Sequence, residues 1–335
     1  MLMASDERVL SEDELVPLLR ELTAAAAPSA LLIGIGDDAA VWQPSRSHRS
    51  VITTDVLVEG VHFTRDAMSA FEVGHRALAS NLSDIAAMGA RPVLATIGLG
   101  VPAGSSSAWI LDAYRGIAEL ATRTRCAIAG GDIVRAPGFV FSITVVGEVR
   151  ASNLKTRSGM QPGDTIAVTG PLGASRAGLL IALDRPDLAA DPAGVAVLRA
   201  FRTPEPRLRE GRFLAASRNV RAMMDGSDGL STDIARLAAA SGTGAVIDDV
   251  PADPDARTIA ERTGNDVAAW ARDGGEDFEL IVAVATHAFH HLAGRFRSHT
   301  GRELLRIGYA TDERGVRFAD GTPVEPAGWD HFGEH

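Results

Sequence analysis

Lysine is almost missing from this chain. Lys155 is the only one among 335 residues, and arginine supplies the rest of the positive charge. A phosphate ligand would therefore have to be held by arginine, backbone amides or metal ions. Cysteine is equally scarce. With Cys126 alone, a disulfide framework and a cysteine-rich zinc site are both excluded. Its apolar surroundings make Cys126 read as a small buried hydrophobe. No apolar run approaches the ~18 residues that a membrane helix needs. The opening MLMASDERVLSEDEL carries acids early and lacks the hydrophobic region of a signal peptide. These absences set the expectation of a cytoplasmic protein with no membrane partner. Lys and Arg total 33 against 43 Asp and Glu, a formal net charge of −10. No basic cluster stands out, so no nucleic-acid partner is expected.

What is present is ordinary globular composition, 46% hydrophobic and 23% charged. The length suggests two domains. Periodicity predicts strands over Leu31–Ile35, Val51–Asp55, Val93–Leu99 and Val140–Glu148, with helices over Phe71–Met88 and Ala108–Thr122. A polar stretch, Ala151–Asp164, then breaks the pattern with Gly and Pro near its end. This places the domains at 1–150 and 151–335. Beyond the break, strands are expected over Thr165–Thr169, Ala222–Asp225, Gly244–Asp248 and Phe278–Val284. Helices are expected over Ser175–Leu183 and Ser231–Ser241. The proline-rich stretch Ala182–Pro206 reads as a loop insertion with a short helix. Strands and helices mix in both halves, so the class is α/β or α+β.

Aspartates gather beside Gly, Ser or Thr near the ends of the expected strands, where sites are commonly built. GIGDDAAVW, Gly34–Trp42, carries Asp37 and Asp38 after a strand; an ordinary Asp-Asp turn is the alternative. TTDVLVEGVHF offers Thr53, Thr54 and Asp55 as a run of oxygen donors suited to a hard cation. His62, in the same segment, by itself reads as a surface histidine. In ALASNLSDIAAMGARP, Ala77, Ser80, Asn81 and Asp84 share a small, polar helix face opposite Leu78, Leu82 and Ile85. AIAGGDIVR sets Asp132 beside Gly130 and Gly131, where backbone can approach a ligand closely. MMDGSDGLSTDIARLA is the richest segment. Asp225 and Asp228 flank Ser227, Ser231 or Thr232 caps a helix, and Asp233 suits the helix dipole. GGEDFEL adds Glu276 and Asp277 before a strand.

Gathered aspartates repel one another, so if they converge, cations must offset them. Many carboxylates with few lysines fit phosphoryl transfer through Mg²⁺, where positioning and charge stabilisation supply most of the rate. The usual nucleotide signatures are missing. Lys155-Thr156 follows Leu154 rather than Gly, so there is no Walker A loop, and no HRD or DFG triplet occurs.

The segments GDDAAV, TTDVLVEGVHF, NLSDIAAMGA, GGD, DGSDGLSTD and GGEDFEL, in this order and closing with GWDHF, resemble the thiamine-monophosphate kinase family. The resemblance covers the chain from about residue 8 onward. It implies the two-domain fold of the superfamily that includes aminoimidazole ribonucleotide synthetase. An N-terminal α/β domain would form a homodimer through its sheet, a C-terminal α+β domain would pack against it, and ATP and Mg²⁺ would bind in the cleft. It implies Asp37, Thr53, Thr54, Asp55, Asp84, Asp132, Asp225 and Asp228 as ligands of several Mg²⁺ ions, with Asp84, Asp132 and Asp228 central to catalysis. It implies Tyr114, Gly131, Asp132, Arg157 and Ser227 as ATP contacts. His62, Glu276 and Trp329 would hold thiamine monophosphate, with Trp329 stacked on the thiamine rings. The implied reaction is direct in-line transfer of the ATP γ-phosphate. Two mild departures are GHRALAS, where a lysine is expected near Arg76, and Gly226, where a β-branched residue is more usual. Selenophosphate synthetases and hydrogenase-maturation members carry diagnostic cysteines that are missing here.

Overall fold

The computed structural model describes residues 10–26, 30–35 and 39–328. Asp37 and Trp329 lie outside the described residues. The chain divides into two compact units. One holds the described residues up to Ile85 together with Arg91–Ala151; the other holds Ala86–Ala90 and the residues from Ser152 onward.

In chain order the first part comprises α1 (Glu12–Thr23), β1 (Leu31–Ile33), β2 (Val41–Trp42), β3 (His48–Val58), α2 (Ala70–Ala87), β4 (Arg91–Val101), α3 (Ser107–Thr124), β5 (Ala127–Arg135) and β6 (Val140–Arg150). Four strands form a sheet in the order β3-β6-β4-β5, with only β4 and β5 parallel. Helix α2 forms because its apolar residues recur at helical spacing. Val73, Leu78, Leu82 and Ile85 are fully buried, each contributing roughly 1.5–3 kcal/mol through burial. Its backbone touches that of α3. A Cβ on Gly74 would lie 1.8 Å from the Ala113 carbonyl oxygen, and one on Gly116 would lie 2.0 Å from that of Phe71. Only residues without a side chain allow this approach.

The second part comprises β7 (Thr165–Val168), α4 (Ala174–Leu183), α5 (Pro192–Arg202), α6 (Leu208–Ala215), β8 (Val220–Asp225), α7 (Leu230–Ser241), β9 (Gly244–Ile247), α8 (Pro254–Thr263), α9 (Val267–Asp273), β10 (Leu280–Val284), α10 (Thr286–Thr300), β11 (Leu305–Thr311) and β12 (Gly315–Phe318). Its six-stranded sheet runs β12-β9-β11-β7-β10-β8, antiparallel except for β12 on β9. One apolar cluster, including Ile166, Met224, Ile234 and Ile281, joins this sheet to α7. Another, including Met223, Val282, Phe289 and Phe296, joins it to α10.

The proline-rich stretch is not a loop insertion. Pro192 opens α5 just after the Asp191 cap, whose side chain accepts the Ala193 amide. That first-turn position tolerates proline because its missing N–H has no helical partner there. Val197 and Leu198 are then buried in one cluster with Ile181 of α4 and Ile259 of α8. The apolar face of α5, rather than its prolines, decides its structure.

Candidate phosphate and metal site

Each unit carries its own group of aspartates. In the N-terminal unit the donors come from β3 and α2. Thr53, Thr54 and Asp55 stand mid-strand in β3, not at the strand end expected from the sequence. Strand alternation divides them. Thr53 Oγ1 donates to Asp84 Oδ2 on α2 at 2.5 Å, and the Asp55 amide donates to Asn81 Oδ1 at 3.0 Å. Thr54 turns to the opposite face, where its hydroxyl meets that of Thr144 at 2.7 Å. Asn81, one turn before Asp84, is thus a site residue whose sequence signal was only its place on the small polar face.

The pairing register carries this division across the sheet. Val56, Ser142, Gly98 and Asp132 form one row, and Asp55, Ile143, Ile97 and Gly131 form the next. Residues opposite one another share a face, so Asp132 lies on the face of Thr54, not that of Thr53. Three strand spacings, roughly 14 Å, separate β3 from β5. Within this unit the fold does not bring Asp132 to the Thr53–Asp84 pair. The Asp132 carboxylate accepts the Ile133 amide at 2.9 Å. A Cβ on Gly131 would lie 1.9 Å from the Ile97 carbonyl oxygen, so glycine is fixed there by the neighbouring strand.

Two other expected contacts also fall in this unit. Tyr114 is only 4% exposed, on α3, and burial raises its phenol pKa above the usual range. An ATP contact there would require that packing to open. His62 is half-buried after β3 and accepts the Val58 amide at Nδ1, 3.1 Å away, which puts the neutral-ring proton on Nε2.

In the C-terminal unit two loops are stitched together through their backbones. Asp225 ends β8 and is buried. The Gly226 amide donates to the Glu279 carbonyl at 2.7 Å, that of Glu276 to the Ser227 carbonyl at 2.7 Å, and that of Phe278 to the Gly226 carbonyl at 3.0 Å. Asp233, expected only to favour the helix dipole, organises the turn. Its Oδ2 accepts the Ser227 and Asp228 amides at 3.0 and 3.1 Å, while Oδ1 meets Arg236 at 3.1 Å. Burial, and then the charge of Asp228, push its carboxyl up to about 6, against the lowering pull of those amides and Arg236. Asp228 pairs with Arg236. No sequence signal marked Arg236. At Gly328, the last described residue, the amide donates to the Thr232 hydroxyl at 3.1 Å, which ties the chain just before Trp329 to the start of α7.

Arg157 is exposed and its carbonyl accepts the Ser241 hydroxyl at 3.1 Å; the neighbouring Thr156 carbonyl accepts the Met223 amide of β8 at 3.0 Å. The single lysine serves none of this. Lys155 is buried, and its Nζ donates to the Ser217 and Val220 carbonyls at 2.9 and 2.7 Å. Burial lowers its pKa. A separate cavity of about 510 Å³, lined by Phe213, His290, His291 and Arg295 among others, contains no aspartate and belongs to neither group.

Hydroxyl and carboxylate oxygens are the donor type a hard cation takes, but among the described residues no three His, Cys, Asp or Glu side chains come together as a metal-binding group. At Asp228 a metal would compete with Arg236 for the same carboxylate.

Comparison with known proteins decides the family. The AIR synthase related protein family matches twice, its N-terminal domain over residues 36–149 and its C-terminal domain over residues 161–321. A thiamine-monophosphate kinase of Synechococcus elongatus is 34% identical over 335 residues, covering 97% of this chain and 98% of the relative. The chain belongs to the thiamine-monophosphate kinase family. The solved thiamine-monophosphate kinase of Stenotrophomonas maltophilia shares this kinase-family fold with a TM-score of 0.83 and 34% identity, over 94% of this chain and 98% of that one. AaThiL complexed with AMPPCP and TMP matches with a TM-score of 0.78 and 29% identity, over 97% and 99% of the two chains.

Proposed function

We propose that this member of the kinase family transfers the γ-phosphate of ATP to thiamine monophosphate, giving thiamine diphosphate and ADP. The observation that carries the reading is end-to-end similarity to relatives named for that activity, one of them solved with an ATP analogue and TMP. An oxygen of the substrate phosphate attacks the γ-phosphorus, and the bond to the ADP oxygen breaks. No general base is required, because a phosphate monoester with a second pKa near 6 is already ionised at pH 7.

Mg²⁺, when bound, neutralises charge on the polyphosphate. Thr53, Asp55 and Asp84 would hold it in the N-terminal unit, and Asp225 and Asp228 in the C-terminal unit. Asp37 belongs with these ligands by its motif. Asp132 and Gly131, with Ser227 and Arg157, would meet ATP. His62, Glu276 and Trp329 would hold thiamine monophosphate. We assign the protein to the cytoplasm as a homodimer. None of the described helices is long and apolar enough to cross a membrane. One face of the β3-β6-β4-β5 sheet is covered in part by Leu31, Ala40 and Trp42, and the apolar side chains it leaves exposed among the described residues support the dimer. Ile52, Val56 and Val134, on one side of the sheet, are 67%, 43% and 52% exposed.

The test follows thiamine diphosphate and ADP by chromatography after incubation with thiamine monophosphate, ATP and Mg²⁺. Equal amounts of both products, abolished by EDTA, are expected. ADP without thiamine diphosphate would transfer the function to another ATP-using member of the superfamily.

A further inference from the structure

Asp277 stands between two residues in unfavourable backbone conformations. Glu276 and Phe278 have φ of 65° and 51°, in the left-handed region that side chains disfavour. Neither is glycine, so the surrounding contacts have to hold them there. The Asp277 carboxylate spans two donors at the start of α4. Oδ2 accepts the Gly173 amide at 2.7 Å and Oδ1 the Ser175 amide at 3.0 Å. The backbone of the same segment bonds to Gly226 and Ser227 through the Glu276, Phe278 and Glu279 peptide groups. One end of the segment is fixed as well. Glu279 is buried against Arg207, Arg302 and Thr169 at 2.8, 2.6 and 2.6 Å. At the other end the Gly274 amide bonds to the Trp270 carbonyl at 2.9 Å. Between these anchors, the Asp277 clamp sets the path of the loop that presents Glu276.

We propose that Asp277 is a positioning residue. By clamping the first turn of α4 it holds Glu276 in the arrangement that receives thiamine monophosphate. This rests on the function proposed above. Asp277 touches no reacting atom; it acts through Glu276.

The experiment measures KM for each substrate separately in the wild type, Asp277→Asn, Glu276→Gln and the double variant, with amide hydrogen exchange at Glu276 and Phe278 recorded on the same samples. Asparagine keeps the shape but places an NH₂ group against an amide N–H. Asp277→Asn is expected to raise KM for thiamine monophosphate by about 10-fold or more, as small misplacements do. KM for ATP should change by less than about 2-fold, and exchange should accelerate at Glu276 and Phe278. The double variant should be no worse than Glu276→Gln alone, since both changes act through one residue. If Asp277→Asn does not fold, Asp277→Ser replaces it. The serine hydroxyl still accepts one amide, and the same split should appear at smaller size. Equal movement of both KM values, movement of neither, or additive effects in the double variant would overturn the proposal. A wild type that forms no thiamine diphosphate would remove the function reading itself. An active wild type with an unaltered Asp277→Asn would remove this inference alone.

Discussion

The two aspartate groups reach their geometry by different means. In the N-terminal unit, Thr53 and Asp84 meet because a strand alternates its side chains and a helix returns every fourth residue to one face. Regular elements do the placing, and the donors are side chains. In the C-terminal unit, Ser227 and Asp228 are placed by irregular backbone, held by the Asp233 carboxylate and by backbone hydrogen bonds that join Gly226 and Ser227 to Glu276, Phe278 and Glu279. The first arrangement should lose function with little loss of stability when a donor is changed. The second should lose both when Asp233 is changed, because that carboxylate also satisfies two part-buried amides.

The largest effect expected is on turnover. Asp84→Asn should lower kcat by on the order of 100-fold or more if charge stabilisation is the main contribution, with a melting temperature near that of the wild type. Unchanged kcat would remove Asp84 from the metal group. A large loss of stability would break the contrast between the two units. Asp233→Ala should behave in the opposite way. It leaves the Ser227 and Asp228 amides without their acceptor, at a cost of about 1–3 kcal/mol read from denaturant unfolding. A smaller effect tests the alternation of β3. Thr53→Val should raise the Mg²⁺ concentration needed for half-maximal activity, whereas Thr54→Val should leave it within about 2-fold, a change below 0.5 kcal/mol. Equal effects would mean that the two faces of the strand serve one metal.

The remaining test is the pH dependence of stability in the C-terminal unit. Asp277 is half-buried by surface exposure. Its carboxyl is nevertheless enclosed enough that burial pushes it from 3.8 up to about 7, despite the amides of Gly173 and Ser175. A carboxyl whose folded pKa is raised binds its proton more tightly when folded. Its contribution to stability is therefore present below pH 4 and lost as pH rises towards 7. The melting temperature of the wild type minus that of Asp277→Asn should fall across that window and level off above it. A difference that rises instead would mean that the two amides outweigh burial.

Much of this was legible in the sequence because it depends on local pattern. Helix α2 was expected over Phe71–Met88 and runs Ala70–Ala87, since an apolar stripe and a terminal Met88-Gly89 are local signals. The acid-rich segments likewise identified themselves. What could not be read depends on partners distant in sequence. Which side of β3 faces α2 is set by the register with β6. Whether Asp233 acts as a simple helix-dipole residue or organises the turn depends on amides that the fold brings to it. Helix α5 is hidden in a proline-rich stretch because Pro192 sits at the start of the helix, where proline is tolerated.

Lys155 has one more consequence. The only side-chain amine in the chain is buried against two carbonyls. Acylating reagents, aldehyde cross-linkers and a lysine-specific protease therefore meet no accessible lysine side chain while the fold is intact. Cleavage after Lys155 becomes a single-site clock for opening of the C-terminal unit, and coupling to carboxyl-activated surfaces through lysine would capture only molecules that have already opened.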